Sequence, residues 1–438
     1  MTDADIAEAG CYRDAGGLIG KLRRLAFAAP MLALADQAVV SGASFCTTVM
    51  VGRWSSPGEL GVYALATSIM ISCVAIQDAL ISLPYAILRH ERGDAAAEHA
   101  GSSLLHNTVF SALCSLAVAL CAALLDASGK ADQFVAVLAA LALAAPFSLL
   151  REFARRHAFA QLNAPRALAL DCAVAVLQIA GLCLLGAAGR MSASAALLVV
   201  GAACGPAALA WAYASRQEIA VNLHAARAAL AANLRLGRWL FASQAVVQIQ
   251  TFSTSWLTLA LLGVDAAGVL AAATSVVAAA NPFIAGLNNF LTPRAVLIWN
   301  SNGLARLLRQ TILDAALLAG VVGMFCVAAG VAGEDVVRLL FHGGSFEGQG
   351  RLVLLLTFAL LAAVVGAPAA NALAAMQRPN AIFGASVAGA ATTILLVSTL
   401  ILKFGLIGAA WGWLAGNLAG SVARWIVFGR LTERGKSN

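Results

Sequence analysis

Two stretches of this chain carry hydrogen-bonding side chains at matching spacing, in surroundings that otherwise have few. In residues 35–68, ADQAVVSGASFCTTVMVGRWSSPGELGVYALATS, the residues Gln37, Ser41, Ser44 and Thr48 fall at i, i+4, i+7 and i+11, one face of a helix. In residues 242–275, ASQAVVQIQTFSTSWLTLALLGVDAAGVLAAATS, a second such face is made by Gln244, Gln248, Thr251 and Ser255. Uncharged amides and hydroxyls both donate and accept, which suits a ligand rich in hydroxyl groups, such as a sugar. The competing use is packing, since Ser and Thr bond their own i−4 carbonyls or join neighbouring helices. Further on, Asn281 and Asn288 share a face at i+7, and Pro282 loosens the helix between them.

Ionisable residues inside such apolar stretches are costly, so each is a functional candidate. Asp36 has Ser243 as its counterpart in the second stretch, which marks it as an addition to one half only. It can carry a coupling proton, hold a cation, or orient an arginine such as Arg53, and the orienting role is preferred. Asp78, beside Gln77, has Arg89 eleven residues on and is read as its structural partner. Asp171, Asp314 and Arg424 are read as anchors near the inner membrane interface, and His106 with Asn107 as packing residues. Eight of the nine cysteines fall in apolar stretches and none forms a CxxC pair, so neither disulfides nor metal ligands are expected. The terminal GKS lacks the first glycine of a P-loop and no helix follows it, which argues against ATP hydrolysis. No cofactor and no enzymatic activity are expected.

The elements that must position these groups follow from composition. The 438 residues are 61% hydrophobic and 11% charged, with a mean hydropathy of +0.85, leaving too little polar surface for a water-soluble domain. Apolar runs recur at roughly 27–50, 60–88, 101–125, 133–150, 167–188, 193–214, 237–262, 267–292, 307–331, 352–376, 381–402 and 405–428. Runs this long mean spanning helices rather than barrel strands. With the N-terminus inside, 22 of the 28 Lys and Arg fall on the cytoplasmic side, so the basic charge sets topology and asks for no nucleic acid. No cleaved signal peptide is expected, and both termini are expected in the cytoplasm.

The two stretches above align without a gap at an offset of 207, with 13 of 34 positions identical. FAQLNAPRA (159–167) is echoed by LAAMQRPNA (373–381) at an offset of 214, the extra seven residues fitting a longer outer segment, 332–350. The expected fold is therefore all-α, with twelve transmembrane helices in two parallel six-helix lobes. Residues 1–26 form a cytoplasmic segment, 27–214 the N-lobe, 215–236 an inter-lobe linker, 237–428 the C-lobe and 429–438 a cytoplasmic tail. Parallel repeats with a polar face on each first helix are a transporter layout, with the substrate between lobes.

VGRWSSPGELGVYALATSIMI, VVRLLFHGGSFE (336–347), NALAAMQRPNA (371–381) and FGLIGAAWGWLAG (404–416) resemble the polysaccharide-transporter family of the multidrug/oligosaccharidyl-lipid/polysaccharide flippase superfamily. The resemblance implies a V-shaped, alternating-access bundle in a bacterial inner membrane. It would flip an undecaprenyl-pyrophosphate-linked oligosaccharide from inner to outer leaflet, as a monomer among membrane lipids and polysaccharide polymerase or export proteins. Helices 1, 2, 7 and 8 would line the cavity, with Arg53, Arg89 and Arg294 offered to the pyrophosphate. Two alternatives stay open: a drug/cation antiporter using Asp36, suggested by MVGRW (50–54), and a non-transporting scaffold in a polysaccharide assembly complex.

Overall fold

A backbone in lipid must satisfy its polar groups internally, and this chain does so with helices. The computed structural model describes residues 31–89, 95–129, 132–341 and 346–434. In the first half, α1 spans Met31–Trp54 and α2 Pro57–Arg89. They are followed by α3 (Ala96–Ala127), α4 (Asp132–Ala160), α5 (Ala164–Ala187) and α6 (Ala193–Ala214). In the second half, α7 spans Leu223–Leu262, and α8 is the pair Val264–Ala278 and Asn281–Ser301, bent by 46° at Pro282. Next come α9 (Gly303–Leu340) and α10 (Gly350–Ala375). The 55-residue stretch Pro379–Glu433 then divides at Gly405, where φ 57° and ψ −138° end one helix and begin another. We label these α11 (379–404) and α12 (406–434).

That last pair shows how an apolar chain without a hydrophobic drive between its helices packs them. Gly408, Gly412, Gly416 and Gly420 form one edge of α12, and it lies directly on α11. A Cβ at Gly408 would collide with the Leu400 carbonyl, at Gly412 with the backbone of Val397, and at Gly416 with Thr393. Backbones this close gain dispersion contact that side chains facing lipid cannot give. Prolines inside helices are handled locally. Pro146 cannot donate to Ala142, and the Ser115 hydroxyl of α3 takes that carbonyl instead at 2.6 Å.

The duplication is visible in the backbone. Leu162 and Gln377 both adopt positive φ, 57° and 56°. Each ends its helix with the same pair of bonds: Leu162 N to Phe159 O and Asn163 N to Ala158 O, Gln377 N to Ala374 O and Arg378 N to Leu373 O. These turns stand 215 apart, one residue more than the sequence echo implies. The two lobes, α1–α6 and α7–α12, run in the same direction because each has an even number of helices.

They meet at a clasp with the same symmetry. Gly61 and Gly268, paired at the 207 offset, cross one another. A Cβ on Gly61 would strike the Val264 carbonyl and the Gly268 nitrogen, and one on Gly268 would strike the Pro57 carbonyl. Pro57 and Val264 are themselves a pair at that offset. Ser56 caps this end of α2 by accepting from Glu59 N at 3.2 Å. The arginine-rich turns lie at the opposite end of the bundle, called the basic end below.

Three expectations on boundaries change. α7 starts at Leu223, so most of the 215–236 linker is helical. α9 runs to Leu340, so the first half of the 332–350 segment is helix, and residues 342–345 lie outside the described set. The expected cytoplasmic termini fall on residues 1–30 and 435–438, also outside it. The eight described cysteines are free.

Replacing Gly61 or Gly268 by Leu should force the clasp apart. A cysteine at Thr274, which lines the space between the lobes, should then react with a membrane-impermeant maleimide added on the clasp side. Labelling no faster than in the glycine protein would show that the clasp does not close that space.

Candidate functional site

Seven charged residues of the N-lobe form one largely buried network, centred on α4. Residues 151, 152, 155 and 156 all lie on α4, and at this spacing they point from one side of it. Asp36 of α1 is fully buried, and Arg155 donates to its Oδ2 from Nε at 2.9 Å and from Nη2 at 2.7 Å. The same Nε lies 2.9 Å from Oδ2 of Asp171 on α5, and Nη1 donates to Glu152 Oε1 at 3.2 Å. Arg151 closes the ring, 2.5 Å from Asp171 Oδ1 and 3.3 Å from Glu152 Oε2. Arg156 extends it to Asp78 on α2 at 3.1 Å. Three guanidiniums thus face four carboxyls, and Oδ1 of Asp36 has no hydrogen-bond partner among the described residues. Such a set has one carboxyl in excess, so it can hold one proton without upsetting its charge balance.

The C-lobe shows that the fold does not need these charges. Counting at 207 for α1 and α2 and at 215 for α4 and α5, the counterparts of Asp36, Asp78, Arg151, Glu152, Arg155, Arg156 and Asp171 are Ser243, Ala285, Gly366, Ala367, Ala370, Asn371 and Ser386. None is charged. Asn371, standing for Arg156, meets Asn288 at 3.4 Å instead. A buried ion network costs desolvation that an apolar core avoids, so its presence in one lobe calls for a use beyond packing.

The space between the lobes is of the opposite character. A cavity of about 510 Å³ is lined by Thr48 of α1, Thr67 and Ser68 of α2, Gln248, Thr251, Thr254 and Ser255 of α7, Thr274, Ser275 and Asn281 of α8, and Trp413 of α12. A second space of about 380 Å³, between α2 and α7, is lined by Ser72, Gln244, Gln248 and Trp256. Among the described residues, no charged side chain lines either one. Trp256 donates across the lobes to Ser68 at 3.0 Å. Within the N-lobe, a chamber of about 200 Å³ opens onto Ser44, Arg151, Glu152, Asp171 and Gln178. Tyr63 and Thr67 line both this chamber and the inter-lobe cavity, forming the partition between charge network and cavity.

The structure therefore sorts the residues singled out in the sequence. Thr48, Gln244, Gln248, Thr251, Ser255 and Asn281 border the space between the lobes. Thr48 and Thr251 also give their hydroxyl protons to their own i−4 carbonyls at 3.1 and 2.8 Å, leaving their oxygens to accept. Gln37 and Ser41 go elsewhere: Gln37 Oε1 accepts from Arg155 at 3.3 Å and its amide donates to Ser41 at 3.2 Å, joining the charge network. Asn288 belongs to the α8–α10 contact rather than to the cavity.

The three arginines offered to a headgroup do not line either inter-lobe space. Arg53 donates to Leu339 O at 3.4 Å at the clasp end. It cannot orient Asp36, being 17 residues further along α1, about 25 Å. Arg89 bonds the Tyr85 hydroxyl and lies 5.8 Å above that ring, so Asp78 is left to Arg156. Arg294 stands 3.9 Å from Asp314, which also accepts from Gln310 at 2.7 Å. Asp171, expected as an interface anchor, is 1% exposed and sits within the network. Reading the sequence missed α4: Arg151, Arg155 and Arg156 were counted as cytoplasmic charge because the apolar run stops at residue 150. Gln178, which donates to the buried Thr47 at 2.6 Å, was also missed.

No protein-family model matches the chain, and no curated protein is similar to it in sequence. Solved structures are. An inward-facing multidrug resistance MATE family transporter of the MOP superfamily superposes with a TM-score of 0.77 at 14% identity, over 92% of this chain and 96% of that one. An outward-facing one gives 0.66 at 13%, over 94% and 96%. A MOP superfamily transporter from Pyrococcus furiosus, described as having a binding pocket of reversed polarity, gives 0.70 at 12%, over 92% and 95%. The fold is that of MOP-superfamily transporters.

Arg155→Met should destabilise the protein by on the order of 3–5 kcal/mol, because it strands buried carboxylates. Arg294→Met, at a half-exposed pair, should cost about 1 kcal/mol or less. Unfolding of the purified variants tests this, and equal losses would remove the network from the centre of the N-lobe.

Proposed function

We propose that this chain is a membrane transporter that moves a lipid-linked oligosaccharide, carried on undecaprenyl pyrophosphate, from the inner to the outer leaflet of a bacterial inner membrane. The observation that supports it is the lining of the inter-lobe space: hydroxyls, amides and indole rings set among apolar side chains such as Ile71, Phe252, Leu270 and Leu356, with no charge among the described residues. Amides and hydroxyls match the edges of sugar rings, and indoles match their apolar faces. The lobes exchange access around this space, with the clasp opening as the basic end closes. Both termini lie in the cytoplasm, and polysaccharide polymerase or export proteins take the product.

The drug/cation antiporter is the second reading, favoured by the multidrug transporters among the similar structures. A lipophilic cation is held by a carboxylate or by aromatic faces; the carboxyls of the network lie behind Tyr63 and Thr67 and are held by arginines, which leaves Phe252, Trp256 and Trp413 as the groups that would meet a cation. The surplus carboxyl supports a proton as driving ion in either case. A scaffold has no use for a polar space between mobile lobes.

The test is flipping of a fluorescent undecaprenyl-pyrophosphate oligosaccharide in reconstituted vesicles. The intact protein should move it, and Gln244→Leu with Gln248→Leu should slow it about tenfold or more, as lost hydrogen bonds to a buried substrate would. Vesicles that expel ethidium but leave the glycolipid in place would replace this function with the antiporter.

A further inference from the structure

α7 begins well below the cavity, and its first four turns carry two different faces. Asn222 caps the start, accepting from His224 N and Ala225 N at 3.0 and 3.3 Å. Ala226, Ala229 and Asn233 are buried on the N-lobe side, where Ala226 O meets His106 at 3.0 Å. Gly237 follows on the same side. A Cβ there would lie 2.8 Å from the Ala79 carbonyl, within the π turn Asp78–Ser82 of α2. The other face is open. Arg227, Leu230, Leu234 and Arg238 are exposed and recur at helical spacing, with Arg235 beside Arg238. Carried forward, the same stripe becomes Phe241, Ala245 and Gln248, which line the space between α2 and α7.

The electrostatics of this face are one-sided. No Asp or Glu occurs between Glu218 and Asp265. Glu218 itself is taken by Arg166 at 3.1 Å. Arg227, Arg235 and Arg238 form no ion pair among the described residues, unlike Arg151, Arg155, Arg156 and Arg294. Exposed leucines lie between these cations, so the face suits an anion joined to an apolar tail at the membrane surface.

We infer that this face of α7 is the entry site for a lipid pyrophosphate, with Arg235 and Arg238 on the diphosphate. The assignment rests on the lipid-linked substrate proposed above. Two guanidiniums one turn apart match two phosphate charges. Sugars joined to the diphosphate extend along α7, where Gln244 and Gln248 stand about 9 and 15 Å further on. Passage then requires Gly237 to part from the π turn of α2, the turn whose Asp78 is held by Arg156.

The experiment uses the full chain in nanodiscs of phosphatidylcholine and measures binding of undecaprenyl pyrophosphate without sugar. The double variant Arg235→Gln, Arg238→Gln should bind about tenfold more weakly or worse, and binding to the intact protein should fall as salt rises. Arg306→Gln, at an exposed arginine of α9 on the same end, should bind as the intact protein does. Unchanged binding by the double variant overturns the site while leaving the proposed substrate intact. An equal loss in Arg306→Gln, or equal capture and equal loss with phosphatidylglycerol as the probe, reduces the face to a general anionic-lipid surface and also overturns it. No binding by the intact protein removes the lipid-linked substrate and this site together.

Discussion

The N-lobe is organised by one guanidinium that has left water. Arg155 is 12% exposed and is shared among Asp36, Glu152 and Asp171, carried by α1, α4 and α5. A charge in a low-dielectric interior must be paired, and the pairing fixes the depth and rotation of every helix that supplies a partner. Arg156 passes the same constraint to α2 through Asp78. Thus four of the six N-lobe helices are registered by ions, whereas the C-lobe aligns its helices by close backbone contact, as along Gly408, Gly412 and Gly416. One lobe is built around a largely buried ion network, and the other packs chiefly by close backbone contact, with the ion pair Arg294–Asp314 at its edge.

That difference gives the molecule a direction of control. The network borders Tyr63 and Thr67, and these border the inter-lobe cavity. Through Asp78 it also reaches the π turn on which Gly237 of α7 rests. A change in charge on one carboxyl would therefore be felt at the cavity wall and at the inner contact between lobes. At the other end the lobes are held by Gly61 and Gly268, whose missing Cβ atoms let two helices cross at backbone distance. The two contacts lie towards opposite ends of α2, whose residues between them line the space between the lobes.

Much of this was legible in the sequence because the physics is local there. Hydropathy marked the twelve spans, and the 207-residue repeat marked the two lobes and paired Gly61 with Gly268. The α7 stripe was legible for the same reason, since helical period alone sets which residues share a face. The partners of Asp36 were not. Arg155 is 119 residues away, and the end of an apolar run at residue 150 hid the fact that α4 stays buried for ten residues more. Gln37 looked like the twin of Gln244, yet a neighbouring arginine, present in one lobe only, drew it into a different role. Helical period gives a face. What stands opposite that face depends on packing between distant segments.

We propose that the network of three guanidiniums and four carboxyls around Arg155 couples a proton to movement of the lobes. Asp36→Asn removes one of the four carboxylates and keeps its shape, leaving Arg155 with Glu152 and Asp171. The most direct measurement is glycolipid flipping in vesicles by equal amounts of intact and Asp36→Asn protein, with and without an imposed proton gradient. The account predicts that the gradient accelerates the intact protein and has no effect on the variant, which still binds its substrate. An Asp36→Asn protein that responds to the gradient as the intact one does, or an intact protein indifferent to it, would contradict the account.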